Sequence, residues 1–432
     1  MRIAVVGTGY VGLVTGTCFA EFGLSVTCVD VDEEKISLLQ RGKVPIYEPG
    51  LEEMVRRNIA EGRLSFSTDL ASTVEKSLVV FIAVGTPQGN DGGADLSFVQ
   101  EVARGIARSM KDYKVVVTKS TVPMGTGAMI RKLIREEQPS PVEFSVASNP
   151  EFLREGSAIE DFMRPNRVVI GADDPRAIEI LKELYNPLFL IEAPFVITTV
   201  ISSEMIKYAS NAFLATKISY INDIAHLCEK VGADVHDVAK GMGLDHRIGR
   251  LFLHPGPGYG GSCFPKDTLA ILKVAQDRGL DLKVVKAAVE VNDSQAERMV
   301  AKIRDFLGAA KGKRVGVLGL SFKPNTDDIR ESASIRIIEI LLAEGAAIRA
   351  YDPVAMSEAK KVLKGVEMGT DPYDTAAGCD ALVIATEWNQ FRNLDLPRLK
   401  VVMKAPVLID LRNVYEPEDL KKLGFRYAAI GR

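Results

Sequence analysis

Just past the middle of this 432-residue chain lies Pro255-Gly256-Pro257-Gly258-Tyr259-Gly260-Gly261-Ser262-Cys263-Phe264-Pro265-Lys266-Asp267. The clustered glycines let a loop lie flat against a ligand, and one cysteine follows them. Lys266 and Asp267 come next, on an expected helix start. A thiol near a helix N-terminus and a lysine has a lowered pKa, and the thiolate is the nucleophilic form. Cys263 is therefore the candidate nucleophile. Cys18, Cys28, Cys228 and Cys379 lie within or beside apolar runs and read as inert packing. Scattered cysteines without CxxC spacing argue against a disulfide framework and a zinc site. His226, His236, His246 and His254 lack the i,i+4 spacing of a helical metal pair, so no metal is expected.

A second constellation opens the chain. Gly7-Thr8-Gly9-Tyr10-Val11-Gly12 is a GxGxxG between an apolar strand and a helix. Gly7 permits the tight turn, Gly9 lets backbone approach a pyrophosphate, and Gly12 lets helix and strand pack closely. The helix N-terminus offers N–H groups and partial positive charge to the phosphates. The next strand ends in Asp30, at the position that binds a ribose 2′-OH. An acid there repels a 2′-phosphate, so NAD rather than NADP is the expected cofactor. Thr86 and Thr121 follow two further strands, where loops line the ligand crevice of a parallel sheet. They read equally as cofactor or water ligands and as plain turn residues. Lys207 and Asn211 stand at i,i+4 on one helix face. Glu151 and Glu155 lie in Asn149-Pro150-Glu151-Phe152-Leu153-Arg154-Glu155-Gly156. By residue type alone these four would be solvated surface groups more often than catalysts.

The elements that must position these residues alternate. Strands are expected at 2–6, 25–30, 78–84, 114–120, 143–148, 167–172 and 194–199, with helices at 10–22, 96–110 and 174–186 between them. Such alternation predicts a parallel sheet covered on both faces. Residues 202–231 carry neither Pro nor Gly and keep a helical period throughout, predicting a helix of roughly 45 Å at 1.5 Å per residue. A helix of that length reads as a spine with a partner chain packed on it. Helical patterns continue to 308. Strands return at 314–319, 347–351, 380–386 and 406–411, with a helix at 333–344. The segments RIAVVGTGY and RVGVLGLSF, near the start and at 314–322, look alike. The expected fold is therefore α/β: two Rossmann-like doubly wound parallel-sheet domains joined by a long central helix and a helical domain. The expected boundaries are 1–200 for cofactor binding, 201–308 for a central helical dimerisation domain and 309–432 for a smaller α/β domain.

The composition fits this reading. Acidic residues number 57 and basic residues 54, for a net charge of −3, which points to neither nucleic acid nor an anionic membrane. No signal segment and no run of membrane-spanning length is read, so a cytoplasmic location is expected.

Taken together, GxGYVG, NPEFLREG, the KxxxN helix, GPGYGGSCFPKD and FKPNTDDIRES resemble, in order and over nearly the whole chain, the UDP-glucose/GDP-mannose dehydrogenase family. GGSCFPKD is most similar to the branch that acts on UDP-glucose. Members acting on UDP-N-acetylmannosamine usually carry His where Ser262 stands, and those acting on GDP-mannose often carry Leu where Phe264 stands. The resemblance implies a homodimer and NAD-dependent oxidation of a sugar CH2OH to a carboxylate in two steps. Cys263 matches the nucleophile that holds first a thiohemiacetal and then a thioester. Lys207 matches the lysine at the reacting oxygen and Asn211 its companion. Asp267 matches the acid that positions the catalytic water, with Thr121 nearby, and Glu155 a helper in thioester hydrolysis that also contacts cofactor. The resemblance further assigns Gly7, Gly9, Tyr10, Val11, Gly12, Asp30, Lys35, Thr86, Thr121, Lys266 and Arg330 to the cofactor. It assigns Glu151, Phe152, Leu153, Tyr259, Gly260 and the loop 254–260 to the substrate. Lys323 and Arg412 match basic residues on the nucleotide sugar, and Arg247 an arginine given to the neighbouring subunit's substrate. Three alternatives stay open. The first is oxidation of GDP-mannose or another nucleotide sugar by the same route. A β-hydroxyacid dehydrogenase would use the helix lysine without a cysteine and make one NADH per substrate; a non-catalytic nucleotide-sugar sensor would bind without reducing NAD.

Overall fold

The computed structural model describes residues 1–89 and 91–432, with backbone alone at residues 189 and 190. By contact density the chain divides into two compact units. One comprises Met1–Ser210 with Leu269–Arg278, the other Asn211–Thr268 with Gly279–Arg432.

The first unit is built on eight strands: β1 (Arg2–Val6), β2 (Ser25–Val29), β3 (Leu64–Ser67), β4 (Val79–Ile82), β5 (Lys114–Thr118), β6 (Phe144–Ser148), β7 (Val168–Ala172) and β8 (Phe195–Thr198). Their order across the sheet is β3-β2-β1-β4-β5-β6-β7-β8. Strands β4, β5 and β7 are buried at every residue, as expected where helices cover both faces. One core lies around Phe19, whose ring centroid is 5.3 Å from Phe81, 5.1 Å from Phe162 and 5.2 Å from Tyr185. The other face packs Val80, Ile82, Ile106, Val116 and Ile130.

The second unit carries six strands: β9 (Arg314–Leu318), β10 (Ala347–Tyr351), β11 (Val366–Met368), β12 (Ala381–Ile384), β13 (Val407–Asp410) and β14 (Arg426–Ala428). They run in the order β11-β10-β9-β12-β13-β14, all parallel. Helices Val235–Gly243 and Lys283–Leu307 also belong to this unit. The long helix spans Val200–Val231, 32 residues, about 48 Å at 1.5 Å per residue. Among the described residues no helix is long and apolar enough to cross a membrane.

The structure differs from expectation in two respects. Strands β3, β11 and β14 are absent from the sequence reading, and all three are sheet edges. They are short and half-exposed, as edge strands tend to be, so they leave no apolar run to detect. The first sheet is also not wholly parallel. Strand β7 runs antiparallel to β6, overlapping it only at Ala147↔Ala172 and Ser148↔Gly171. It starts beyond the carboxyl end of β6, where the Asn149 side-chain amide donates to the Val169 carbonyl at 2.7 Å. The apolar pattern is the same for either direction, so composition cannot distinguish them.

Phe19 is fully buried against four other rings, Phe22, Phe81, Phe162 and Tyr185. Phe19→Ala should therefore cost the first unit about 3–5 kcal/mol, measured as a lowered midpoint in urea denaturation.

Candidate active site

In the first unit the turn after β1 forms a phosphate cradle. Gly7 has φ +101°, and a Cβ there would meet the Ala83 carbonyl oxygen at 2.6 Å. A Cβ on Gly12 would lie 1.9 Å from the Gly7 carbonyl oxygen. The chain itself thus demands both glycines. Gly9 is different: a Cβ there meets no protein atom within 4 Å. The helix Tyr10–Glu21 has Gly9 at its N-cap and no side-chain cap, which leaves the first-turn N–H groups of residues such as Val11 for an anion. These features fit the pyrophosphate of a dinucleotide.

Asp30 accepts from the Thr8 N–H at 2.8 Å and the Thr8 hydroxyl at 2.6 Å, and pairs with Lys35 at 3.3 Å. Burial would raise its carboxyl, but the bonds from Thr8 and Asp32 and the Lys35 charge outweigh this and hold it below the usual carboxylate range. It is thus held as an anion, able to accept from hydroxyl donors.

The Tyr10 side chain turns to Glu48, a buried carboxylate absent from the sequence reading. Glu48 accepts the Gly156 N–H at 2.6 Å and the Ala158 N–H at 2.7 Å. Burial and the Glu48 charge hold the Tyr10 phenol far above its ordinary pKa. Glu48 thereby ties the glycine-rich turn to the segment bearing Glu155. An isolated acid before Pro49-Gly50 carries no sequence signal for such a tie. The loops after β4 and β5 are likewise joined, since the Thr86 hydroxyl donates to the Thr121 carbonyl at 2.9 Å. The Thr86 proton is thus used within the chain.

Glu151 and Lys207 form a buried ion pair at 2.8 Å, each side chain 5% exposed. Burial would raise the Glu151 carboxyl, but Lys207 and the Leu153 N–H hold it low. The Phe152 ring beside it lies 3.5 Å from the Arg167 guanidinium and 5.4 Å from the Lys207 ammonium. Glu204, also unread in the sequence, reaches from the long helix to accept the Gly125 and Gly127 N–H groups at 2.6 and 2.7 Å.

In the second unit Cys263 immediately precedes the helix Phe264–Gln276, and its carbonyl accepts the Asp267 N–H at 2.9 Å. The residue is partly exposed, and its sulfur lies 3.6 Å from the Ser262 hydroxyl. A helix N-terminus favours a thiolate. Cys18, Cys28, Cys228 and Cys379 are buried. Burial pushes the Cys28 thiol up to about 12 and the Cys379 thiol to about 11, which makes both poor nucleophiles. Asp267 is fully buried, accepting from Asn211 at 2.6 Å and pairing with Lys266 at 2.5 Å.

The loop before Cys263 is held by side chains the sequence reading missed. Asn222 accepts the Gly256 N–H at 2.8 Å, Gln295 donates to the Gly256 carbonyl at 2.9 Å, and Asn292 accepts the Tyr259 N–H at 2.8 Å. Each is a lone amide on a long helix, indistinguishable in sequence from a solvated one. The loop glycines also answer to the protein rather than to open space. A Cβ on Gly260 would lie 2.2 Å from the Glu331 carbonyl oxygen, and one on Gly261 2.6 Å from the Phe322 ring. Tyr259 is buried edge-on against Phe264, with ring centroids 6.0 Å apart.

Arg412 donates to the carbonyls of Ala385 at 2.8 Å and Phe322 at 3.1 Å, and lies close to Gly256. Lys323 sits 5.4 Å over the Phe322 ring. Arg330 is exposed and forked onto Asp328, while its carbonyl accepts the Gly261 N–H at 2.9 Å. Arg247 is exposed and forked onto Asp245.

The glycine-rich turn of the first unit has the features of a dinucleotide-binding oxidoreductase. Residues 1–189 match the NAD binding domain of the UDP-glucose/GDP-mannose dehydrogenase family, 201–294 its central domain and 316–417 its UDP binding domain. The chain belongs to that family and is an NAD-dependent nucleotide-sugar dehydrogenase. It is 56% identical over 436 residues to the UDP-glucose 6-dehydrogenase of Rhizobium meliloti (strain 1021), covering 100% of both chains. It is 48% identical to UDP-glucose 6-dehydrogenase TuaD of Bacillus subtilis (strain 168), covering 100% of this chain and 93% of that one. A solved UDP-glucose dehydrogenase from Pyrobaculum islandicum superposes with a TM-score of 0.92 at 41% identity, over 99% of this chain and 96% of the other.

The glycines separate fold from ligand. Gly9→Ala should leave thermal stability unchanged and weaken NAD binding about tenfold or more, since a methyl enters the space kept for phosphate. Gly12→Ala should lower stability by about 1–3 kcal/mol or more. Calorimetric melting and NAD titration of both variants check this.

Proposed function

We propose that this chain oxidises UDP-glucose to UDP-glucuronate through a covalent intermediate on Cys263. The observation that carries the reading is the placement of Cys263 at the head of the helix that bears Asp267, with Asp267 bound to Asn211 and Lys266. Full-length kinship with the Rhizobium enzyme supports UDP-glucose as the sugar nucleotide.

Bound NAD supplies the hydride acceptor, and two are consumed in turn because CH2OH to carboxylate removes four electrons. Asp267, acting through a water, takes the hydroxyl proton in the first oxidation. The Lys207 ammonium stabilises the negative charge that develops on the sugar oxygen. The Cys263 thiolate adds to the aldehyde carbon, and the oxygen takes a proton to give a thiohemiacetal. Loss of that proton and a second hydride leaves a thioester. Water attacks the thioester, the C–S bond breaks, and carboxylate and thiolate are released with Glu155 assisting. The covalent link keeps the aldehyde from escaping. Glu151, Phe152, Leu153, Tyr259, Gly260, Lys323 and Arg412 are assigned to substrate. Thr121, Lys266 and Arg330 join the residues of the glycine-rich turn in cofactor binding.

We also propose the division 1–200, 201–308 and 309–432, a cytoplasmic location and a homodimer. The limits of the three family matches support the division. The location rests on five free cysteines, typical of a reducing compartment. The dimer rests on an apolar stripe. Met205, Phe213, Tyr220, Leu227 and Val231 of the long helix are all exposed, Phe213 by 65%. At 100° per residue they fall within an arc of about 80°, opposite Lys207 and Asn211. Such a stripe marks a protein interface, and Arg247 would then serve the neighbouring subunit.

Wild-type protein should make two NADH per UDP-glucose. Cys263→Ser should abolish or stall the second NADH and release no uronate while still binding the UDP-sugar; wild-type NADH formation in that variant would sink the covalent route. Phe213→Glu should shift the protein from dimer to monomer in sedimentation, and an unchanged sedimentation coefficient would overturn the stripe as interface.

A further inference from the structure

Lys119 follows β5 and is buried, 4% exposed. Its ammonium reaches the Asn149 side-chain oxygen at 3.0 Å and the Tyr185 hydroxyl at 3.2 Å, and lies 5.9 Å from the ring centroids of Phe162 and Tyr185. None of these partners is charged. A cavity of about 50 Å³ is lined by both Lys119 and Glu151, and Asp161, Arg164 and Arg167 also line it. Of these, Asp161 is forked onto Arg154 and Arg167 is stacked on Phe152. The charged groups that act on Lys119 are Glu151, which favours its cation, and Lys207, which opposes it. Two buried lysines therefore bear on one buried carboxylate, and direct contact gives that carboxylate to Lys207.

A buried group of net charge +1 costs far more than a buried neutral pair. The lysine without the carboxylate contact is the one that must yield its proton. We propose that Lys119 is a positioning residue that works by being uncharged, leaving the Glu151 carboxylate wholly to Lys207 and so keeping Lys207 an ammonium ion. The proposal rests on the role assigned above to Lys207. Burial pushes the Lys119 amine down to about 7, so this state fills as pH rises through neutrality. When Lys119 is protonated, Glu151 is shared between two cations and the Lys207 ammonium is less favoured. Asn149 Oδ1 and the Tyr185 hydroxyl can serve either state, because both accept from Lys119 and a neutral amine still keeps N–H groups to donate.

Two readouts on the full-length protein test this. In wild type, kcat should rise with pH through about 7, whereas Lys119→Met should lose that ionisation and hold its plateau on the acid side. Lys119→Arg, which stays charged, should lower kcat about tenfold or more on the alkaline side while KM for NAD changes less than about twofold. Stability provides the second readout. A lysine whose pKa falls on folding, from 10.5 to about 7, binds fewer protons folded than unfolded between those limits. Wild-type stability therefore rises with pH across that window and is lowest at and below its acid end. The Met variant should melt above wild type near neutrality, with a gap that closes toward about pH 10. An ionisation near 7 persisting in a folded Met variant, or a melting gap independent of pH, overturns the proposal. If no UDP-sugar is oxidised by wild type, the dehydrogenase reading itself fails, and the melting gap still decides the state of Lys119.

Discussion

Two buried carboxylates, Glu151 and Asp267, are held by Lys207 and Asn211, one turn apart on a single uninterrupted helix. Removing one member of a buried charge pair strands the other, at about 3–5 kcal/mol. That penalty makes the helix obligatory: its register fixes which residue meets which acid. A slip of one position would swing both side chains about 100° away. The absence of Gly and Pro from residues 200–231 thus serves these two contacts as much as the fold.

The same helix has a second, exposed apolar face. Its apolar stripe lies away from Lys207 and Asn211, so the exposed apolar residues and the two polar contacts occupy different positions. Glu204 adds a third constraint, since both its oxygens are taken by the Gly125 and Gly127 N–H groups. The helix start is thereby fastened to the loop that follows Thr121. Burial raises the Glu204 carboxyl against the effect of those two bonds, so the fastening is held at a cost in desolvation.

The sequence carried the core of this architecture because its central strands are buried on both faces and read as unbroken apolar runs. It was silent at β3, β11 and β14, where a sheet edge needs only one apolar face over a few residues. The direction of β7 was also hidden, because hydrophobic pattern does not encode strand polarity. In the site, groups within recognisable spacings were legible: the glycine-rich turn, Asp30, and the Cys263–Asp267 run. Glu48, Asn222, Asn292 and Gln295 were not, since each acts by a long-range bond to backbone that no local pattern announces. The loop glycines were legible as glycines but for a different reason from the one expected: Gly260 and Gly261 are pressed against Glu331 and Phe322.

The second sheet shows why a shared framework need not share a ligand. Gly319 follows β9 as Gly7 follows β1, with φ +98° against +101°, and Asp352 follows β10 as Asp30 follows β2. There the likeness ends. Asp352 is 1% exposed and filled by protein donors. One oxygen takes the N–H groups of Leu320 and Ser321, the Ser321 hydroxyl and the Trp388 indole; the other takes the Val354 and Ala355 N–H groups. A ribose has no acceptor left to find. Ser321 stands where Gly9 leaves space, and its hydroxyl closes onto Asp352 at 3.0 Å. The following helix starts only at Ala333, and its N-cap Ser332 spends its hydroxyl on the Leu320 carbonyl of the turn at 2.8 Å, whereas the first sheet's begins directly after Gly9. The segment gained in between carries Lys323, Asp328 and Arg330, and its Phe322 and Glu331 wall the loop that leads to Cys263. The second unit has thus traded the dinucleotide cradle for the surface on which that loop is seated.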